Sequence, residues 1–393
     1  MGLTMQEKRA LTRETCQRYR KACKKDKTKI LDEYTAITGY NRKYALHVLA
    51  NWRYRPKRLL KRRRPLGIVL YNDKVILSLT KIWTFFDYMC GKRLSVFIQE
   101  QISQLEPYKD FGITPEIKAK LLQISPATID RRLKLERRKL QIKGISHTKS
   151  GKLLKQHIPI RTFYTWDERK PGFFELDTVA HDGGRASGDF CYTLNATDVY
   201  SGWVELRALR NKAHHWVYSE VTNFPAVLPF PLKGIDSDNG GEFINKGLLN
   251  WCYKNHIQFT RSRSYHKNDN CFVEQKNDMT IRQQVGYYRF DSKRELAALA
   301  EVYKFLCPLL NFCYPSVRLT AKTRVGARVN KVYDQPKTPY KRLLESPDID
   351  DTVKAELRKR AEALQPVQQK LLLNRAKNKL MCIYEQKLAN SVH

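Results

Sequence analysis

The N-terminal part of the chain has apolar side chains at the spacing of α-helices. Ile30, Tyr34 and Ile37 recur on one helical face, and Gly39 then interrupts the pattern. Apolar residues resume after Asn41, a residue type that favours the N-cap of a helix. Two short helices around a tight turn are therefore predicted, which is the arrangement of a helix-turn-helix unit.

A second helical region extends from Tyr71 to Arg138. Thr114-Pro115 and Ser125-Pro126 each indicate the start of a helix, because proline suits the first helical position after a capping hydroxyl. The second of these helices is predicted over residues 127–138 and is strongly basic. This pair of helices is a second helix-turn-helix candidate, although an ordinary helical hairpin with a solvated basic face would give the same pattern.

Helix-turn-helix units present the first residues of their second helix to DNA bases. The candidate DNA-binding residues of the two units are therefore the following: Asn41, Arg42 and Lys43 in the first, and Arg131, Arg132 and Lys134 in the second.

The central part of the chain changes to short apolar runs separated by turns. Three consecutive strands are predicted first, and helices and strands then alternate. The predicted strands cover 172–180, 190–198, 203–208, 232–237 and 258–261, and the predicted helices cover 213–224, 245–255 and a stretch from about 269. An apolar core helix is predicted over 295–313, and the remainder is basic and largely helical, with helices over 352–364 and 365–386.

The charge of the chain favours a polyanionic partner. The 393 residues include 73 Lys and Arg against 39 Asp and Glu, a net charge of +34, which suits nucleic acid. Residues 1–65 hold 20 basic and 5 acidic residues, whereas residues 165–300 hold 17 of each. The run 53–65 contains Arg62, Arg63 and Arg64 and is either a phosphate-binding or minor-groove arm or a flexible linker.

The cysteine spacing and the lack of long apolar runs argue against disulfide-rich proteins, zinc modules and membrane proteins. The nine cysteines include no Cys-x-x-Cys pair, which argues against a disulfide framework and a cysteine-rich zinc module. The pair His214-His215 has no such cysteines to complete a zinc site. Without an apolar run of about 18 residues or an N-terminal signal segment, no membrane span is expected, and a cytoplasmic location is the expectation.

Three carboxylates stand beside apolar residues in the central part, where a negative charge needs a compensating cation. They are Asp177, Asp238 and Glu274; 35 residues separate the last two, and Asn-Gly follows Asp238. Carboxylate oxygens suit Mg²⁺, and two such ions about 3.5–4 Å apart can serve both sides of a phosphodiester displacement. Other acids that compete for these roles are Asp182, Asp198, Asp236, Glu242 and Asp278.

The spacing of these acids resembles the catalytic core shared by retroviral integrases and bacterial insertion-sequence transposases. Four runs resemble more closely the insertion-sequence transposases grouped as not yet classified; they are residues 158–163, 238–243, 273–277 and 285–290. The resemblance implies an RNase H-like core with a mixed sheet, in which Asp177, Asp238 and Glu274 are catalytic and bind two Mg²⁺ or Mn²⁺ ions. It also implies hydrolysis at the end of an element, followed by attack of the freed 3′-OH on target DNA.

The same resemblance implies double-stranded DNA as partner, both element ends and target, and a homo-oligomer on DNA. Lys267, Lys276 and Asn277 lie near Glu274 and are candidates for contacts with the DNA backbone, unless they form a solvated helix face. The chain departs from retroviral integrases because it lacks an N-terminal His/Cys zinc module. A catalytically silent sequence-specific DNA-binding protein and an RNase H-like nuclease are the alternatives.

These patterns predict a multi-domain protein with all-α helix-turn-helix units, a central α/β core and a basic C-terminal region. The predicted regions are a helix-turn-helix unit with its basic arm over 1–65, a second helical DNA-binding domain over 66–145, a linker over 146–164, the core over 165–313 and the C-terminal region over 314–393.

Overall fold

A computed structural model describes most of the chain, namely residues 3–52, 70–139, 160–161, 170–238, 240–262, 277–325 and 328–390. The chain divides into two compact units, Met1–Val69 and Leu70–His393, and each has its own apolar core. Several predicted features lie outside the described residues. They are the basic arm with Arg62, Arg63 and Arg64, most of the linker over 146–164, and Lys267, Glu274 and Lys276.

Within residues 3–52, the described part of the first unit, there are three helices, α1 (Met5–Lys21), α2 (Lys24–Thr38) and α3 (Arg42–Asn51). Gly39 ends α2 with a φ of +68°, a left-handed conformation that glycine adopts without steric cost. Asn41 caps α3, because its Oδ1 accepts a hydrogen bond from the backbone N–H of Lys43 at 2.9 Å. The predicted helix boundaries around this turn are confirmed. The core of the unit consists of Cys16, Leu31, Tyr34, Ala45 and Leu49.

Five helices begin the second unit, α4 (Asp73–Phe85), α5 (Gly91–Leu105), α6 (Pro115–Gln123), α7 (Pro126–Arg132) and α8 (Lys134–Lys139). Thr114 and Ser125 cap α6 and α7 as predicted, each accepting from a backbone N–H at 3.3 Å. The single helix predicted over 127–138 is wrong in one respect. It is interrupted at Leu133, whose ψ of 0° is not helical and whose side chain is completely buried.

The centre of the second unit is a six-stranded mixed sheet with β1 (Ile160–Arg161), β2 (Phe173–Ala180), β3 (Tyr192–Asp198), β4 (Val204–Leu209), β5 (Gly234–Ser237) and β6 (Gln258–Ser262). The spatial order is β1-β6-β5-β2-β3-β4. The strands β2, β3 and β4 are antiparallel, whereas β5, β6 and β1 extend the sheet from β2 in parallel. Three helices connect these strands, α9 (His214–Thr222), α10 (Phe224–Val227) and α11 (Lys246–Lys254). From β2 onward this is the predicted order of strands and helices, whereas the short edge strand β1 was not predicted.

Helices cover both faces of the sheet. On one face, Phe174 and Leu176 of β2 share an apolar cluster with Val217 of α9 and Leu248 of α11. After the sheet the chain forms a π-helical segment (Asn277–Arg282), α12 (Gln283–Val285), α13 (Lys293–Pro308) and a second π-helical segment (Leu309–Cys313).

The helix α13 covers the opposite face of the sheet. Its residues Val302 and Leu306 belong to the same apolar cluster as Val204 and Leu206 of β4. By length and composition alone, Lys293–Cys313 could cross a membrane. In this fold its apolar residues are instead core residues of a sheet-packing helix.

A buried polar group lies at the end of β2. His181 is completely buried, and its Nε2 lies 2.7 Å from Thr193 Oγ1. That threonine also forms a hydrogen bond with the hydroxyl of Tyr303 on α13. Burial lowers the pKa of His181 to about 3, so the folded protein keeps this imidazole neutral.

The neutral His181 gives the protein a predictable sensitivity to acid. The unfolded chain takes up a proton at this histidine below about pH 6.5, while the folded chain does not, so stability is lost as the pH falls from there. We expect the free energy of unfolding, measured by urea titration at several pH values, to fall between about pH 6.5 and 3. His181→Gln should flatten this dependence, and an unchanged slope in the variant would assign it to other groups.

The C-terminal region adds a hairpin and three helices, namely β7 (Leu319–Val325), β8 (Arg328–Tyr333), α14 (Pro339–Glu345), α15 (Asp351–Ala363) and α16 (Pro366–Asn390). The helices α15 and α16 confirm the predicted ones, but the hairpin was not predicted. The helix α16 packs along α13 and contacts α5, and Lys370 Nζ lies 2.7 Å from both carboxylate oxygens of Asp87, in the loop after α4. The helices of residues 70–139 therefore share one core with the sheet.

Candidate active site beside the central strands

Asp177 and Asp238 lie at the same level of neighbouring parallel strands. The strands β2 and β5 pair in register as far as Leu176 and Ser237, so the next residue on each side is one of the two acids. Leu176 and Ser237 are completely buried, whereas both acids are partly exposed. The sheet therefore brings two of the three predicted acids together where β5 ends. The third, Glu274, lies outside the described residues.

Asn277 links Asp177 to the next strand of the sheet. Its Nδ2 donates a hydrogen bond to Asp177 Oδ2 at 2.6 Å, and its Oδ1 accepts one from Asn195 Nδ2 at 2.8 Å. Asn195 is the cross-strand neighbour of Asp177 on β3. The backbone N–H of Thr178 donates to Asp177 Oδ1 at 2.7 Å. Both carboxylate oxygens of Asp177 thus accept a hydrogen bond, which fixes the orientation of the group.

The π-helical segment that begins with Asn277 is held to β2 at both ends. Asn277 contacts Asp177, and Arg282 donates from Nη2 to the carbonyl oxygen of Ala180 at 2.6 Å. Such π-helical turns are frequent at functional sites. Asn277 follows Glu274 by three residues. The chain is therefore at the Asp177 carboxylate three residues after the third predicted acid.

The turn after Asp238 brings a further carboxylate to this region. Asp238 Oδ1 accepts a hydrogen bond from the backbone N–H of Gly240 at 2.8 Å, which closes the turn. The hydroxyl of Thr178 donates to Glu242 Oε1 at 3.3 Å. A Cβ at position 240 would lie 2.6 Å from the carboxylate carbon of Glu242, so glycine makes this approach possible. Glu242 thus lies beside the residue that follows Asp177.

Other acids considered from the sequence have contacts that suit structural roles. Asp198 is completely buried and accepts from the Ser201 backbone N–H at 2.7 Å, and burial raises its pKa to about 6 despite these hydrogen bonds. Asp236 is buried and accepts from the hydroxyl of Thr260 on β6. Asp182 accepts from a backbone N–H of the glycine-rich turn after β2 at 3.1 Å. The side chain of Asp278 lies outside the described residues.

The donor atoms at Asp177 and Asp238 fit a divalent cation of the Mg²⁺ type. Both groups supply hard oxygen ligands from adjacent backbone positions, and their partial exposure leaves access for water and phosphate. Among the residues that the structure describes, no three His, Cys, Asp or Glu side chains form a metal-binding group. The two described acids could supply oxygen ligands to such an ion, and the third predicted acid, Glu274, lies outside the described residues.

The first set of predicted DNA-binding residues lies at the start of α3. The side chain of Asn41 is engaged in capping the helix, and Arg42 forms an ion pair with Asp32 of α2. Lys43 is exposed. Of the three, Lys43 is therefore the residue best placed to meet a phosphate, since the other two side chains already have partners within the unit.

The second set lies across the junction of α7 and α8. Arg131, Arg132 and Lys134 are all exposed and flank the buried Leu133. The Nη2 atom of Arg131 donates to Thr128 Oγ1 at 2.9 Å, within the first turn of α7. The helix break thus presents three cations within four residues on an exposed surface.

Sequence reasoning missed two partners in this site. Asn277 was predicted as a possible DNA contact, yet its amide is engaged with Asp177 and Asn195. The position of Asn195 opposite Asp177 follows from strand register, which the sequence pattern alone does not set. The sequence signal for Asn277 was its position three residues after Glu274.

Comparisons with known proteins relate the chain to one family model, one relative and one solved structure. Residues 167–267 match the family model described as integrase core domain. The chain is 36% identical over 342 residues to the uncharacterized protein y4rM of Sinorhizobium fredii (strain NBRC 101917 / NGR234), which covers 86% of this chain and 96% of that protein. Among solved structures, the catalytic core domain of BIV integrase is similar at 15% identity and a TM-score of 0.28, covering 43% of this chain and 91% of that one.

Proposed function

The chain belongs to the same family as the Sinorhizobium fredii protein y4rM, and its residues 167–267 match an integrase core domain. We propose that it is a DNA transposase that binds the terminal inverted repeats of an insertion sequence. Its reaction would be metal-dependent DNA cleavage followed by strand transfer. The observation that supports this most directly is the placement of Asp177 and Asp238 on paired strands, with Asn277 holding the first of them. The excess of basic residues outside the core suits a protein that holds DNA phosphates.

Asp177, Asp238 and Glu274 would hold two Mg²⁺ or Mn²⁺ ions. When bound, such a pair supplies a Lewis acid on each side of an in-line phosphoryl displacement. The protein's own contribution is to fix the ligands before DNA arrives. Asn277 and the Thr178 N–H orient both oxygens of Asp177, and the Gly240 N–H orients Oδ1 of Asp238.

Exposed cations outside the core would position the DNA. Lys43 on α3 and the three cations at the α7–α8 junction are accessible, and phosphate contacts of this kind set the register of a protein on the duplex. The proposal extends to Arg62, Arg63, Arg64, Lys267 and Lys276. Catalysis at two element ends calls for two active sites, so a homo-oligomer on double-stranded DNA is part of the proposal.

The test is a cleavage and strand-transfer assay with the full-length protein. The substrate would be a labelled duplex that carries the inverted repeats flanking the gene, with Mg²⁺ and a target plasmid. Release of a 3′-OH at the repeat and its joining to the plasmid are expected. Specific binding without cleavage would favour a silent DNA-binding protein, and cleavage of RNA–DNA hybrids without selectivity for repeats would favour a nuclease.

Asn277 provides a finer test of the site geometry. Asn277→Ala should lower strand transfer about 10- to 100-fold, the usual effect of losing a partner that orients a metal ligand. The Mg²⁺ concentration for half-maximal activity should rise, because Asp177 would lose its orienting amide. Binding to the repeat should stay unchanged.

The matched control is Asn378→Ala, which removes an exposed amide on α16. It should leave both strand transfer and the Mg²⁺ requirement unchanged. Lower activity of Asn277→Ala at an unaltered Mg²⁺ requirement would show that the amide does not act through Asp177. Weaker DNA binding would support the backbone contact that the sequence suggested.

A further inference from the structure

The histidine pair at the start of α9 belongs to a series of exposed aromatic rings. His214, His215 and Trp216 form the first turn of α9 and are all exposed. The ring centroids of His214 and His215 lie 5.9 Å apart, and those of His215 and Trp216 lie 4.7 Å apart. The next residue, Val217, is completely buried. The three rings therefore lie side by side at the surface, just before the helix enters the core.

Two cations, Arg210 and Lys212, precede these rings in the turn that joins β4 to α9. Both are exposed, and neither forms an ion pair within the part of the chain that the structure describes. The nearest acids along the chain, Glu205 and Glu220, both pair with Arg207 instead. The turn therefore carries two positive charges that no described carboxylate neutralises.

Strand register places this turn at the same edge of the sheet as the candidate active site. Leu209, the last residue of β4, pairs with Tyr192 of β3, and Tyr192 pairs with Ala180, the last residue of β2. Asp177 precedes Ala180 by three residues. Two strand spacings and three residues of rise separate the backbone of Leu209 from that of Asp177 by about 14 Å. One strand of DNA covers this distance with about four nucleotides.

The exposed cations and rings at this edge are called the α9 surface; they are Arg210, Lys212, His214, His215 and Trp216. We propose that the α9 surface binds unpaired nucleotides of a DNA strand beside the candidate active site. Cations that meet phosphates and rings that stack on bases are the means by which proteins hold single-stranded nucleic acid. The inference rests on the proposed function, since a DNA end bound at the acids is what brings a strand to this edge.

The charge and the rings together select this partner over others. Residues 210–216 include no Asp or Glu, so the α9 surface attracts a polyanion. A second copy of the chain is a poorer partner, because it carries the same net charge of +34. A fully paired duplex would meet the cations but would leave the rings unused, since its bases already stack on one another. Unpaired nucleotides use both features.

The experiment compares two forms of a repeat duplex, one with a flush end and one with a tail of about six unpaired thymidines on either strand. Dissociation constants are measured by fluorescence anisotropy with the full-length protein and without divalent cations, so that the DNA is not cut. The tailed duplex should bind wild type more tightly than the flush duplex. Trp216→Ala should weaken binding of the tailed duplex about 5- to 150-fold, the effect of losing one stacked base. Binding of the flush duplex should stay unchanged, and Trp216→Phe, which keeps a ring, should retain most of the affinity.

Matched controls lie at the other end of the sheet. Tyr253 is 84% exposed in the last turn of α11, just before β6, which begins where Gln258 pairs with Gly234, the first residue of β5. Tyr253→Ala should therefore leave both duplexes unaffected. For the charge, Lys212→Gln should reduce the slope of log affinity against log salt for the tailed duplex by about 0.7, the value for one phosphate of a single strand. Lys254→Gln, which removes an exposed charge beside Tyr253, should not change this slope.

Three results would overturn the proposal. The first is equal affinity of wild type for the tailed and flush duplexes. The second is unchanged binding of the tailed duplex by His214→Ala/His215→Ala, a variant that alters only exposed rings and so decides the matter if Trp216→Ala disturbs the fold and weakens binding of both duplexes. The third is a changed subunit number of Trp216→Ala in sedimentation without DNA, which would make the α9 surface a contact between chains.

These outcomes are independent of catalysis. A wild-type protein inactive in strand transfer would refute the transposase proposal. A loss of affinity confined to the tailed duplex in Trp216→Ala would still support the α9 surface as a site for unpaired nucleotides.

Discussion

Replacing Asp238 by asparagine is expected to lower strand transfer by at least about 10³-fold, the loss that corresponds to about 4 kcal/mol of transition-state stabilisation. Asparagine has nearly the same size and keeps an Oδ1 that can accept from the Gly240 N–H, the contact that closes the turn after β5. The turn should therefore survive. What the substitution removes is the negative charge beside Asp177, and with it one of the two described acids that are proposed to hold a divalent cation.

The control for this prediction is Asp182→Asn, which also neutralises an acid near the end of β2 but in the glycine-rich turn. It should leave strand transfer within about twofold, the range of a surface substitution. Binding of the repeat duplex should be unchanged in both variants. If Asp238→Asn weakens binding as much as it weakens transfer, the residue is structural. If transfer persists, Asp238 is not part of the catalytic set.

Elements with strong local signals were predictable from sequence. Capping residues followed by proline indicated the starts of α6 and α7, and both caps are present. The five central strands lie within two residues of their predicted limits, because short apolar runs bounded by turns identify strands of a covered sheet. Local chemistry decides these features, so the sequence alone is sufficient for them.

Features that depend on tertiary contacts were not predictable. The run from Leu319 to Tyr333 forms two strands that were not predicted, because its many Lys, Arg and Thr residues left it without an apolar run. The interruption at Leu133 lies within a sequence with good helix formers. The packing of residues 70–139 on the sheet through Lys370 and Asp87 joins positions 283 residues apart. No local pattern carries such information.

The candidate site also combines features that the sequence predicts with features that only the fold determines. Spacing and the Asn-Gly after Asp238 indicated the acids, and the structure places Asp177 and Asp238 side by side. The roles of Asn195 and Asn277 and the approach of Glu242 arise from strand register and from the path of the chain after β6. The sequence thus indicates the candidate acids, and the fold determines which neighbours orient them.

Lys370→Met is expected to lower the free energy of unfolding of the second unit by about 3–5 kcal/mol, the effect of leaving one member of a buried ion pair without its partner. Lys370 is 2% exposed, and its Nζ lies 2.7 Å from both oxygens of Asp87. The hydroxyl of Tyr314 donates to the same carboxylate at 2.7 Å. Methionine fills the space of the lysine stem, so the loss reports mainly on the charge.

The pH dependence of this loss identifies its cause. Burial raises the pKa of Asp87, but the charge and hydrogen bonds of Lys370 and the Tyr314 hydroxyl outweigh it, so the pKa lies below its ordinary value. A lowered carboxyl pKa stabilises the fold above the unfolded pKa, and this contribution is lost as the pH falls through the folded pKa. The difference between wild type and Lys370→Met, measured by urea unfolding, should therefore be largest near pH 7 and shrink below about pH 4.

The double variant Asp87→Asn/Lys370→Met separates charge from packing. Asp87 has a φ of +61°, which asparagine tolerates better than most residues, so the neutral amide can occupy the same loop conformation. If the cost of Lys370→Met comes from an uncompensated carboxylate, the double variant should recover most of the lost stability at pH 7. A double variant as unstable as Lys370→Met at every pH would show instead that the cost does not come from an uncompensated carboxylate but from altered packing of the side chain at position 370.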